Sequence, residues 1–259
     1  MFHTREDDPV SFIYAMDSER YQGADPEGVF TVSGRRLQRR LRRALTRCNP
    51  QVNRVPTLIE IFSWSGEVTR VARSRGWTVL EPIDLKTGWD LSVRDTQAAL
   101  LDHLCHKKPD LVVIAFPCTV WSSMQNMNQR TEEQRKRLQE RRGKARQMLR
   151  YVTIVVRTLQ AAGAMVILEN PLNSLAWKEF APIWRAEGLV EIVLDMCRFD
   201  KKTPQGVHIK KPTRLMGPPD VVSSLGRRCQ GGHEHATIEG AVRCPDGQRM
   251  NLSEWAGGY

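Results

Sequence analysis

Asp110-Leu-Val-Val-Ile-Ala-Phe-Pro-Cys-Thr-Val-Trp-Ser-Ser123 is the stretch on which the reading of the fold turns. Its apolar run, Leu111 to Phe116, has the β-branched composition of a strand buried on both faces, as in the middle of a parallel sheet. Pro117-Cys118 ends it, because proline cannot continue the hydrogen-bond ladder. In an open α/β sheet, the loop at the carboxyl end of a central strand is where ligands bind. Cys118 is therefore a candidate nucleophile. Taken alone it reads equally as a small apolar residue closing a strand, since cysteine is among the most buried residue types.

The flanking sequence supplies the rest of such a sheet. Thr57–Phe62 reads as a strand, Ser63-Trp-Ser-Gly66 as a tight turn, and Glu67–Arg75 as a helix ending at Gly76. Trp77–Leu80 is a second strand, followed by Asp84 and by the turn that contains Asp90. A helix is expected over Asp95–His106, before the strand at 111–116. Thr131-Glu-Glu-Gln134 has the form of a capping box. It opens a basic helix to Tyr151, which continues or is followed by an apolar helix to Ala162. Gly163–Leu168 is another buried strand and ends in Glu169-Asn-Pro171; a helix over Ser174–Glu187 and a strand over Leu189–Leu194 follow. Strands alternating with helices predict an α/β fold with a Rossmann-like, doubly wound sheet.

Composition sets the class. The 259 residues carry a net charge of +10 and a pI near 9.6. A basic globular chain is biased toward polyanions, so nucleic acid is the first partner to consider. Leu37, Leu41 and Leu45 form one narrow stripe on an arginine-rich helix expected over 33–47, either a phosphate-contacting face or a solvated one. The six cysteines are scattered, which argues against a disulfide framework and for a reducing compartment. The charged N-terminus and the lack of a long apolar run predict an intracellular, soluble protein, nuclear in a eukaryote, with no membrane association.

Three strand ends carry polar residues: Ser63–Gly66, Pro117-Cys118 and Glu169-Asn-Pro171. In a parallel sheet these ends lie along one edge. Asp84, after the second strand, stands where ribose hydroxyls are held in nucleotide-type folds. In these residues the chain resembles the catalytic domain of the cytosine-C5 DNA methyltransferases, and is closest in style to the compact methylase-like domains of phages and mobile elements. Phe62-Ser63-Trp64-Ser65-Gly66 is similar to the family's Phe-x-Gly-x-Gly loop. Pro117-Cys-Thr-Val-Trp-Ser122 is similar to its Pro-Cys-x-x-aromatic-Ser motif, and Glu169-Asn-Pro171 to its Glu-Asn-Val motif.

The resemblance implies a fold and a chemistry. It implies an S-adenosylmethionine-dependent methyltransferase sheet with a small irregular C-terminal appendage. Phe62, Ser63, Trp64, Ser65, Gly66, Asp84, Asp90 and Pro117 would bind S-adenosylmethionine, Asp84 at the ribose and Asp90 at the adenine. Cys118 would add to carbon 6 of cytosine, and Glu169 would protonate or hydrogen-bond N3, so that carbon 5 can take a methyl group. Burial at the end of an apolar strand favours a proton on Glu169; basic neighbours would favour the Cys118 thiolate. DNA is the expected partner, with RNA as the alternative substrate. A methylase-like binding module without turnover is the alternative of a different class.

The chain also departs from the family. The first loop has one glycine, Gly66. The Gln-x-Arg-x-Arg motif is absent in that form, and Lys211-Pro-Thr-Arg214 stands nearest to it, so Arg214 is taken as a third catalytic residue. The expected organisation is a basic arm and helix over 1–56, the catalytic domain over 57–200, and a target-contacting or capping region over 201–259. In that last region Cys229, His233, His235 and Cys244 have side chains that suit zinc, at a spacing that is not a standard finger; a polar surface loop is the competing reading.

Overall fold

The structure, a computed structural model, describes residues 55–63, 66–127, 129–184, 188–238, 240–244, 247 and 249–252. The helix expected over 33–47 and the loop residues Trp64 and Ser65 lie outside the described residues.

Six strands form one sheet in the order β2-β1-β3-β4-β6-β5. They are β1 (Thr57–Ile61), β2 (Thr78–Val79), β3 (Leu111–Ile114), β4 (Met165–Pro171), β5 (Val190–Asp195) and β6 (Pro212–Gly217). β1 pairs in parallel with β2 and β3, and β3 in parallel with β4. β6 runs antiparallel to both β4 and β5, so it is the one reversed strand. The chain moves outward from β1 to β2, then returns to place β3 on the other side of β1. That reversal makes the carboxyl ends of β1 and β3 a topological switch point, where open α/β sheets bind ligands.

The strands are shorter than their apolar runs. β3 ends at Ile114, although Ala115 N–H still reaches Ile61 O at 3.1 Å. β6 was not read from the sequence as part of the sheet; Thr-Arg-Leu-Met in a Pro- and Gly-rich stretch gives a weak strand signal. It lies beyond the boundary expected at residue 200, so the sheet draws on the C-terminal region and the appendage begins after it.

Helices cover both faces. On one side α2 (Arg94–Lys107), α3 (Glu132–Ala161) and α4 (Ala176–Trp184) pack Leu100, Leu104, Val152, Val156 and Trp177 against Ile59, Val112, Val166 and Leu168. On the other, α1 (Glu67–Ser74) and the turns around 196–199 and 219–225 pack Val68, Ala72, Phe199, Val221 and Val222 against Leu58, Leu111, Ile167 and Leu215. This two-sided burial explains why the parallel strands read as continuous apolar runs.

α3 is one helix of 30 residues, about 45 Å long. The expected capping box starts it: Gln134 N–H donates to Thr131 Oγ1 at 3.2 Å, and Thr131 N–H donates to Gln134 Oε1 at 3.1 Å. Its second half is core, and Tyr151 Oη donates to Gln97 O at 2.8 Å, joining α3 to α2. Its first half is exposed and rich in Arg and Lys. No helix among the described residues is long and apolar enough to cross a membrane.

Gly217 closes β6 where a side chain has no room. A Cβ there would stand 2.7 Å from Val222 Cγ1 and 3.3 Å from Val166 O. Val222 is fully buried and stiff, so it cannot yield. Gly217→Ala is expected to cost about 1–3 kcal/mol of stability, read as a lower denaturation midpoint in urea; an unchanged midpoint would show that the β6–α-turn packing relaxes freely.

Candidate active site

The switch point holds two loops. After β1 the chain turns sharply: Phe62 adopts a left-handed backbone with φ 61°, and Gly66 does so with φ 67° before α1 begins. A left-handed non-glycine residue is strained by about 1–3 kcal/mol and marks a place where the surroundings over-determine the backbone. Phe62 N–H donates to Ile83 O at 2.8 Å, and the bridge Ile61↔Ile83 extends the β1–β2 pairing. Asp84 thereby arrives beside Phe62. Its Oδ1 accepts Lys86 N–H at 3.0 Å, and with Thr87 it forms a capping box on the turn Leu85–Thr87. Phe62, Ser63, Gly66 and Asp84 thus share one edge. Asp90 does not join them. It is exposed, and Ser92 holds its carboxylate through N–H at 2.9 Å and Oγ at 2.6 Å. Those hydrogen bonds, chiefly the hydroxyl one, hold its carboxyl below the usual range.

Glu60 is the acid that sequence reasoning missed at this edge. It sits inside β1, almost wholly buried, and its Oε2 accepts the Thr69 N–H in the first turn of α1. A carboxylate at a helix N-terminus suits the orphan amides there. Burial nevertheless dominates and pushes its pKa up to about 7; the Thr69 side chain and then the Thr69 and Val68 amides oppose this, and nearby Glu67 adds to it. The signal was available: a lone acid in Thr-Leu-Ile-Glu-Ile has no place in a buried strand without a partner.

After β3, Pro117 is exposed and Cys118 half-buried. The loop is braced from three sides. Asn170 Nδ2 donates to Phe116 O at 2.6 Å, Leu175 N–H donates to Trp121 O at 2.9 Å, and Arg142 Nε on α3 donates to Val120 O at 3.0 Å. Glu169 lies in β4 one residue past the Ile114↔Leu168 pair, where the parallel pairing with β3 stops. Cys118 and Glu169 are close enough for the carboxylate to act on the thiol. Glu169 Oε1 is buried and accepts no hydrogen bond among the described residues, and the same holds for Asn170 Oδ1. The Lys211 Nζ lies 3.7 Å from Glu169 Oε1, an ion-pair separation beyond hydrogen-bond reach.

Arg214 is not part of this group, contrary to the sequence expectation. Side chains alternate along a strand, and β6 pairs Leu215 with Glu169 and Arg214 with Asn170. Arg214 therefore lies on the opposite face from Glu169. There its Nη1 meets Glu191 Oε2 at 3.2 Å and its guanidinium stands 5.3 Å from the Trp177 ring. Lys211, on the Glu169 side, is the cation of the site. Lys211 and Arg214 stand in one short motif, and only the register of β6 tells the two apart.

The thiol is not pre-ionised. Burial pushes Cys118 above its ordinary value, the Lys211 charge opposes this, and the Glu169 charge adds to it. The expected help from a basic neighbour is present but burial outweighs it.

The zinc candidates divide. Cys229, His233 and His235 come together, and Cys197, buried after β5, completes the group. Cys244 does not belong to it. The chain beyond His235 forms a hairpin of β7 (Ala241–Arg243) and β8 (Arg249–Asn251), which carries Cys244 into a small apolar cluster with Ile209 and Leu252.

No protein-family model matches this chain, and no curated protein matches it.

Two measurements test this geometry. Glu60 binds its proton more tightly folded than unfolded, so its contribution to stability is full below pH 4.5 and is lost as pH rises toward about 7. The loss is on the order of 3 kcal/mol, and Glu60→Gln should flatten the stability profile across that window in chemical denaturation. For Cys118, the pH dependence of alkylation by iodoacetamide, followed on its own peptide by mass spectrometry, should shift upward in Lys211→Met and downward in Glu169→Gln. Shifts in the same direction would break the proposed grouping.

Proposed function

We propose that this chain transfers a methyl group from S-adenosylmethionine to carbon 5 of cytosine in DNA. The observation that carries this reading is the pairing of Cys118 with Glu169, whose buried Oε1 accepts no hydrogen bond among the described residues, where the parallel pairing of β3 and β4 stops beside the switch point. An orphaned buried carboxylate oxygen calls for a ligand group.

The cofactor reading rests on the first loop. A Cβ added to Gly66 would meet nothing within 4 Å, so there is open space at Gly66. The residues fit the group at Phe62, Ser63, Gly66 and Asp84, which would hold it; Asp90, turned to Ser92, does not contribute. Bound there, the cofactor would present its methyl group as an electrophilic carbon. Asp84 follows β2 at the sheet edge, the position from which an acid holds ribose hydroxyls in nucleotide-type folds.

The residues of the chain then have defined tasks. Cys118 gives its proton to solvent and its sulfur adds to carbon 6 of the cytosine. Glu169 Oε1 faces N3 and supplies the proton or hydrogen bond that stabilises the added ring. The electron pair displaced by the sulfur reaches carbon 5, which would take the methyl group as its bond to the sulfonium sulfur breaks, leaving S-adenosylhomocysteine. A base removes the carbon 5 proton, and Cys118 leaves as the ring regains its double bond. Lys211 compensates the negative charge that Cys118 and Glu169 would otherwise share. The raised thiol fits a nucleophile that is generated only when its target is in place.

The target must leave its helix to reach such a pocket. α3 offers the grip: Arg135, Lys136, Arg137, Arg141 and Lys144 are exposed along its first half, and Arg142 and Arg146 bind the Cys118 loop through Val120 O and the Trp121 ring. Phosphate contacts of this kind supply affinity without sequence choice. A binding module without turnover is the second reading, favoured by the unionised state of Cys118.

A duplex carrying 5-fluorocytosine separates the two, because the fluorine cannot be lost and the Cys118 adduct persists. With S-adenosylmethionine present, a denaturation-resistant complex is expected. Cys118→Ser should abolish it and Glu169→Gln should slow it on the order of 100-fold. Binding without adduct would support the module, and adduct on a matched RNA alone would move the substrate to RNA.

A further inference from the structure

We propose that Cys197, Cys229, His233 and His235 bind one structural zinc ion that joins the end of the sheet to the C-terminal segment. The sulfur and nitrogen atoms of these four side chains lie within 4.8 Å of one another. Cys229 Sγ stands 3.5 Å from His235 Nε2 and 3.7 Å from His233 Nε2. Zinc bonds of about 2.3 Å to sulfur and about 2.05 Å to nitrogen, meeting at the tetrahedral angle, separate the two ligand atoms by about 3.6 Å. These two edges match a tetrahedron around an ion. Two thiolates and two imidazoles in this geometry select zinc among common divalent ions, and four protein ligands leave no position for a reacting water.

The surroundings are built for the same purpose. Gly231 and Gly232 have φ of 89° and 86°, and this double left-handed turn returns His233 to Cys229 within four residues. Gly231 N–H points at Cys229 Sγ from 3.4 Å, a donor suited to a thiolate. Asp195, fully buried at the end of β5, accepts Cys229 N–H at 2.8 Å and Arg228 Nε at 2.9 Å. It fixes the backbone of one ligand while its own strand delivers Cys197 two residues later. Supporting hydrogen bonds of this kind orient metal ligands.

The ion would also hold the active-site cation. His208 stacks on the His233 ring at 4.2 Å and bridges His235, and Ala236 N–H donates to His208 O at 2.8 Å. Three residues later Lys211 O accepts Met196 N–H at 3.2 Å, next to Cys197. The segment that brings Lys211 to Glu169 is therefore clamped between the ligands from β5 and those from the C-terminal loop. This consequence rests on the site assigned above; the zinc site itself does not.

Elemental analysis of the purified full chain should give about one zinc per molecule. Cobalt(II) exchange should give the intense visible bands of a tetrahedral site and a thiolate-to-cobalt absorption. Chelation should lower the melting temperature by on the order of 10 °C. Cys197→Ser and Cys229→Ser should lose the metal, whereas Cys244→Ala should keep it. Wild-type protein without zinc that also gives no thiolate–cobalt band overturns the proposal, whatever the variants do. So does loss of metal in Cys244→Ala with retention in Cys197→Ser. Zinc bound with 5-fluorocytosine trapping absent would refute the enzyme reading and leave the metal site standing.

Discussion

The parallel pairing of β3 with β4 governs the rest of the molecule. It sets Ile114 beside Leu168, so the loop that carries Cys118 leaves the sheet next to Glu169. Glu169 is held by the ladder between β4 and β6, but Cys118 could not be held by its own segment, since a loop after a strand has no ladder of its own. Asn170 supplies the missing bond by donating to Phe116 O, and α3 supplies another through Arg142. A strand's two-residue alternation then separates the tasks of neighbours: Glu169 faces Lys211, while Asn170 braces the loop from the other face.

Reversal of β6 completes that arrangement. Because it enters between β4 and β5 in the opposite sense, its first residues lie at the carboxyl end of β4. Lys211 reaches Glu169 for this reason alone. The same reversal makes the return path from β5 pass the C-terminal loop, so the Cys197 and Cys229 segments meet. One topological feature thus serves both the candidate active site and the candidate metal site.

Buried acids recur at the ends and within the strands: Glu60, Glu169 and Asp195. A buried carboxylate is costly unless something compensates it. Thr69 N–H answers Glu60, and Cys229 N–H and Arg228 answer Asp195. Glu169 has Lys211 at an ion-pair separation, and its Oε1, like Asp195 Oδ1, accepts no hydrogen bond among the described residues.

Much of the fold was legible in one dimension. Apolar β-branched runs, the Thr131–Gln134 box and the turn residues specify elements through local periodicity and capping, which depend on near neighbours in sequence. So Cys118 and Glu169 could be placed at strand ends, and Asp84 after the second strand, from the chain alone. What tertiary structure decided were questions of register and of distance along the chain. The choice of Lys211 over Arg214 rests on one step of strand alternation in a segment with weak strand signal. The replacement of Cys244 by Cys197 rests on a contact between residues far apart in sequence, which no local spacing encodes. Sequence determines which side chains end an element; only the packing of elements against one another decides which of those ends meet.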